Sequence, residues 1–248
     1  MADQLIQDCR SLLAAFASSA LGDCRMPEDS HPDFLQGDRE RRLVYFTLPM
    51  SLNYQRDSYK LWEAALKTYN DPDTADVFSI VASASMPFEE LRRKLLKHKV
   101  ALQPNKHIQT WRCIAETIYR NWGTFEGFIQ SSDNDFLSLK QAVQREHKKG
   151  FPYLSGPKIF NYWSFIIGSY GGVALRNRAD VDIAPDTHIT KCSVLLGVIT
   201  QEEAGKWSRE KISARWRTLL AGSGIDPIDM HSPLWFWSRN NFQYKLPR

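Results

Sequence analysis

The chain has 248 residues, 43% of them hydrophobic and 24% charged, with a net charge of +4. That is enough apolar material for a real core in one or two domains, and it excludes a disordered or fibrous chain. So small a charge is compatible with a nucleic-acid partner without requiring one. Cys9, Cys24, Cys113 and Cys192 lie far apart with no CxxC pair, which argues against zinc or cluster ligation and for reduced thiols in a cytoplasmic protein.

In chain order, residues 1–21 carry apolar residues interrupted by Asp3, Asp8 and Arg10, so they read as an amphipathic helix rather than a signal peptide. No apolar run reaches about 20 residues, so no membrane span is expected. "GDCRMPEDSHPDFLQGD" then breaks the pattern with Gly, Pro and Asp. "RRLVYFTL" is the only β-like stretch and suits a helix equally well. Helices are predicted over 56–69 around Trp62, over "MPFEELRRKLLKH" with Pro87 near its start, and over 108–122 and 135–147. More follow over 157–170, 187–198, 201–220 and 229–240. With no repeat, low-complexity tract or linker, the expectation is an all-α protein of about ten helices forming a single domain over 1–248.

One stretch asks for a further explanation. "FPYLSGPKIFNYW" places Ser-Gly-Pro-Lys between two helical segments, with Lys158 at the mouth of the second. A turn needs Gly or Pro, but a cation in a helix's first turn opposes the dipole. Two helices joined by a tight hairpin can present backbone amides to a phosphate, a contact that reads no sequence. Ser155 is a candidate cap for the second helix and Pro157 presets its first turn. The ordinary alternative is an αα-hairpin inside a helical core. Downstream, "VDIAPDTHITKCSVLLGVI" sets Asp186 after a proline and before an apolar helix, where many Asp residues serve only as caps.

Together, Gly-Pro-Lys opening one helix and Pro-Asp-Thr-His opening another resemble the helix-hairpin-helix DNA glycosylase superfamily. That family carries a Leu-Pro-Gly-x-Gly-x-Lys hairpin followed by a Val-Asp-Thr-His segment. The nearest branch is the archaeal 8-oxoguanine glycosylases with their bacterial and phage relatives. "KIFNYWSF", "SLNYQRDSYKLWEAA" and "GIDPIDMHSPLWFW" resemble other segments of that branch, so the likeness extends over roughly 48–237. The 28 positions from Lys158 to Asp186 are close to that branch's gap, while the C-terminal cysteine cluster of some relatives is absent.

The resemblance implies two helical subdomains around a DNA-binding cleft, with the hairpin at about 151–170 and the catalytic Asp segment at about 181–198. Asp186 would stabilise positive charge at C1′, and Lys158 would attack that carbon to form a Schiff base. If Lys158 only touches phosphate, water attacks instead. Lys148 and Lys149 are weaker candidates for the amine, and otherwise form a solvated basic helix end. Leu154, Ser155, Gly156, Pro157 and His188 would meet DNA. No cofactor is implied, beyond room for a monovalent cation at the hairpin.

Trp62 and Trp235 fall where that branch sandwiches its base, although core packing is the ordinary fate of a tryptophan in a chain that has eight. His231 replaces an Asp of the branch, and it exchanges an acceptor-only carboxylate for a group that can donate, which argues against 8-oxoguanine. His31 and His188 are further candidates. Relatives of this branch include bacterial defence glycosylases of modified phage bases, so the resemblance implies a monomeric glycosylase that excises a modified base, such as a bulky glucosylated hydroxymethyl-type phage pyrimidine, from double-stranded DNA in antiviral defence. Alternatives are a transferase on the same fold that makes hypermodified thymine (the alpha-glutamyl/putrescinyl thymine pyrophosphorylase clade), an 8-oxoguanine repair glycosylase/lyase, and a non-catalytic hairpin module.

Overall fold

In the structure, a computed structural model, residues 2–35 and 37–247 are described, and the helical periodicity of the sequence becomes an all-helical protein. Thirteen α-helices occur among the described residues, with no strand and a single isolated parallel bridge between Asp135 and Arg176. No helix of the described residues is long and apolar enough to cross a membrane. Chain packing groups the helices into two units, Met1–Arg25 with Asn177–Arg248, and Met26–Arg176.

The first unit joins the N-terminal helix α1 (Ala2–Ala17) to the C-terminal helices α10 (Thr187–Leu195), α11 (Gln201–Lys206), α12 (Arg209–Leu220) and α13 (His231–Arg239). Leu5, Cys9, Leu12 and Ala15, spaced three or four apart, make the buried stripe of α1. That stripe packs against α13, where Phe16 stacks on Phe236 with 5.8 Å between ring centroids. Trp216 is fully buried and donates its indole N–H to Ser193 Oγ at 2.8 Å, which ties α12 to α10. Arg178 bonds both Asp226 and Asp229 and fixes the loop that leads into α13.

The second unit holds α2 (Arg39–Leu52), α3 (Ser58–Asn70), α4 (Ile80–Ser85), α5 (Phe88–Lys97), α6 (Lys106–Trp122), α7 (Phe125–Ser131), α8 (Phe136–Gln141) and α9 (Pro157–Ser169). The ambiguous "RRLVYFTL" belongs to α2. Every residue from Leu43 to Leu52 is buried, so the helix shows no polar face and its sequence lacks a helical period. Asp38 caps it by accepting from Arg41 N at 3.3 Å, and Thr47 Oγ1 accepts from Trp163 Nε1 of α9 at 2.9 Å. Glu40 caps α7 in turn, with its carboxylate accepting from Phe125 N and Glu126 N at 2.9 and 2.6 Å.

Several expected elements differ. The helix expected over 201–220 is two helices, because Ser208 caps α12 through Lys211 N and the chain turns at Trp207. The expected 135–147 helix ends as a regular helix at Gln141 and continues as a π turn over Ala142–Glu146. The last helix begins at His231, after a 3-10 turn over Pro227–Met230. Helices α4 and α7, at six and seven residues, are too short to show a period. All four cysteines are free thiols.

Candidate functional site

The candidate residues fall in both units. In the second unit, the hairpin before α9 is held by Ser155 N to Phe151 O at 2.9 Å, Gly156 N to Tyr153 O at 3.1 Å, and Gln144 Nε2 to Ser155 O at 3.0 Å. Tyr153 takes a left-handed conformation (φ 67°), and its hydroxyl donates to Asn53 O at 2.8 Å, which offsets the strain of that turn. Leu154 is buried beneath the turn.

Ser155, expected as the cap of α9, does not cap it. Gly156 is the N-cap residue, no side chain caps this end, and Pro157 opens the helix. The first turn of α9 therefore has amides at Lys158 and Ile159 without a helical acceptor. Lys158 is exposed and makes no ion pair among the described residues. Lys148 and Lys149 are also exposed, on a 3-10 turn whose Lys149 carbonyl lies 3.4 Å from Cys113 Sγ.

Trp62 is fully enclosed on α3, with Tyr45 and Phe46 at 5.9 and 5.8 Å between centroids. It is a core ring in this structure, yet no protein group reaches its indole N–H. Buried Trp N–H groups usually find a partner, so this one is an exception that asks for a reason. His31 sits among Phe34, Phe46 and Tyr170, with Nδ1 2.9 Å from Pro32 O.

In the first unit, Asp186 caps α10, accepting from Ile189 N through Oδ1 at 2.9 Å. The capping role is thus real. Oδ2 has no hydrogen-bond partner among the described residues, and the side chain is only half-buried. Burial, with the Asp186 charge adding to it, pushes the Cys192 thiol up to about 12, so this cysteine stays neutral beside the carboxylate.

Two residues past Asp186, His188 meets α13. Its Nδ1 lies 3.0 Å from Ser238 Oγ, and its ring stands edge-on to half-buried Trp235 at 5.6 Å. His231 and Trp235 are four apart and share a face of α13, with His231 buried at its start. Asp186, His188 and Trp235 therefore belong to one pair of packed helices, α10 and α13.

Sequence reasoning missed Arg239, whose guanidinium covers the Trp235 ring at 4.8 Å from the centroid. The signal was a basic residue four positions after a tryptophan on a helix. It also missed Glu28 and Tyr162. Glu28 is 1% exposed in a 3-10 turn, and burial pushes its carboxyl up to about 7 although a hydrogen bond from Tyr162 opposes that rise. An acid in a loop rich in Pro and Asp looks solvated, so nothing in "MPEDS" marks it.

No group of three or more His, Cys, Asp or Glu among the described residues could hold a metal ion. Compared with protein-family models and with curated proteins, the chain matches none.

Proposed function

We propose that the protein is a DNA glycosylase that excises a modified base from double-stranded DNA, with its helix-hairpin-helix element contacting the backbone. The observation that carries this reading is Lys158: an exposed cation, without an ion pair among the described residues, in the first turn of a side-chain-uncapped helix, where the dipole disfavours it. Such a position pays off when a phosphate or a reacting carbon occupies it.

In the reaction, the C1′–N bond breaks and its electron pair leaves with the base, which takes up a proton. Oxocarbenium character develops at C1′, and the open oxygen of Asp186 stabilises it. The Lys158 amine donates its lone pair to C1′ and loses a proton, and sugar-ring opening then gives an iminium. If water attacks in its place, Asp186 orients that water and a plain abasic site results.

Half-buried Trp235, with Arg239 behind it and His188 at its edge, supports a stacking surface for the extruded base. His231 in place of a carboxylate favours a modified pyrimidine over an oxidised guanine. A bulky phage pyrimidine of the glucosylated hydroxymethyl type is the substrate that the resemblance to anti-phage glycosylases suggests, which would make the purpose antiviral defence.

The test is a panel of duplexes carrying single modified bases, including glucosylated phage DNA, with released base and abasic sites measured. Release from a modified pyrimidine duplex is expected. An untouched panel, with the protein folded and binding DNA, overturns the reading.

A further inference from the structure

We propose that an exposed surface of the second unit, centred on Tyr54 and running into the hairpin, binds a single-stranded DNA segment. One base stacks on the Tyr54 ring, and the backbone passes Lys106 and Lys99. This rests on the reading of the hairpin as a DNA contact, and it adds an unpaired strand to the duplex of that reading.

Three loops meet here, all within the second unit: residues 53–57 between α2 and α3, 98–105 between α5 and α6, and 151–156 before α9. Arg56 ties the first to the second by donating to Val100 O at 2.6 Å and Lys99 O at 2.8 Å. Tyr153 ties the third to the first through its hydroxyl bond to Asn53 O. Buried His107 accepts from Leu102 N at 3.1 Å and holds the second loop against α6. Each loop keeps one non-glycine residue in the left-handed region: Gln55 (φ 49°), Lys99 (φ 65°) and Tyr153 (φ 67°). Such backbone is uncommon for these residue types and gathers at ligand-binding sites, so three cases in adjoining loops fit a surface shaped for contact.

What the loops and the first turn of α6 present is aromatic and basic. Tyr54 is 39% exposed and Leu102 50%. The Tyr54 ring stands edge-on to Tyr153 at 5.3 Å, and Lys106 Nζ lies 5.1 Å from its centroid. Lys99, Lys106 and, past the hairpin, Lys158 are exposed, and none makes an ion pair among the described residues. The only carboxylate in the three loops, Asp57, caps α3 by accepting from Lys60 N at 3.2 Å.

A polyanion with flat apolar faces fits this chemistry. A cation–π contact at an exposed site is weak, so the Lys106 ammonium can leave the ring for a phosphate while a base takes the vacated face. Paired bases keep their faces inside the stack. A single strand offers a free face and a phosphate at every nucleotide, which is what a ring beside lysines takes up.

The experiment measures fluorescence anisotropy of a labelled oligothymidylate of about ten nucleotides, within the site size of a small single-strand binder. Circular dichroism confirms that each variant is folded. Tyr54→Ala should weaken binding about 5- to 150-fold, the worth of one stacked base, and Tyr54→Phe should bind like the wild type. Tyr119, 49% exposed and about 20 Å further along α6, is the control, and Tyr119→Ala should change nothing. Lys106→Gln should lower the slope of log affinity against log salt by about 0.7, one phosphate contact on a single strand. The same strand carrying 5-iodouracil, irradiated on the wild-type protein, should crosslink to the peptide that contains Tyr54. Binding that ignores Tyr54→Ala, crosslinks that fall only elsewhere, or tighter binding of the matching RNA strand overturns the proposal. Strand binding that depends on Tyr54, with no base released from any duplex, leaves the surface standing and sinks the glycosylase reading. Base release by a protein that does not hold the single strand does the reverse.

Discussion

The guanidinium of Arg239 lies over the indole of Trp235, 4.8 Å from the ring centroid, one helical turn along α13. One face of the ring is thus occupied by a cation while the side chain stays half-buried, whereas Trp62 is sealed among Tyr45 and Phe46. The two tryptophans should respond differently to truncation. Trp235→Ala should leave the protein folded and weaken processing of a substrate duplex about 5- to 150-fold, since base–aromatic stacking is worth roughly 1–3 kcal/mol. Trp62→Ala should cost about 3–5 kcal/mol of stability, as a large buried ring does. Thermal unfolding beside single-turnover base release separates the two effects, and a fully active Trp235→Ala would remove that ring from the site.

Asp186→Asn tests the carboxylate apart from the cap. Asn caps a helix about as well as Asp, so the bond to Ile189 N should persist and stability should hardly change. Base release should fall by orders of magnitude while duplex binding survives. Near-normal turnover would leave Asp186 as a cap alone.

Lys158→Gln addresses the amine. Borohydride should trap a covalent adduct between the wild-type protein and a substrate duplex, and the glutamine variant should form none. Base release without any trapped adduct in the wild type would assign Lys158 to phosphate contact and make water the nucleophile. Adduct formation that persists in the variant would move attention to Lys148 or Lys149.

Glu28 should leave a mark on stability. Its carboxyl, ordinarily near 4.5, is raised to about 7 by burial, so the folded protein holds this proton more tightly than the unfolded chain does. Stability from this group is therefore complete below the ordinary value, is lost as pH rises between the two, and stays lost above about 7. The loss is about 3 kcal/mol at full extent. Denaturant unfolding should show Glu28→Gln more stable than wild type above neutral pH, with the difference shrinking as pH falls. A difference that grows in acid would reverse the assignment.

How much of this was legible in advance depended on whether a residue's role leaves a local pattern. The helices α1, α3, α5, α6 and α9 announce themselves through spaced apolar residues and sound starts, and the structure contains them within a few residues of the expected bounds. α2 gives no such signal because it is buried on every side, and α4 and α7 because six or seven residues are under two turns. The break in the 201–220 segment was visible only as Ser208, an ordinary cap residue inside a long periodic run. Asp186 and Lys158 stood out by their places at helix starts. Glu28 and Arg239 did not, since their importance comes from what tertiary folding sets beside them: a tyrosine more than a hundred positions away, and an indole ring.

The all-round burial of α2 has a kinetic consequence. Leu43 to Leu52 meet only protein, so no partial opening at the edge of the second unit brings their amides to solvent. In deuterated buffer these amides should be the last of that unit to exchange, and only when the whole unit unfolds. Pro49 has no amide proton, so it cannot donate to the Tyr45 carbonyl one turn back, and the helix has a gap in its own ladder at its most enclosed point. Slow exchange on both sides of that gap would show that the surrounding packing, rather than the helix's own hydrogen bonds, keeps it closed.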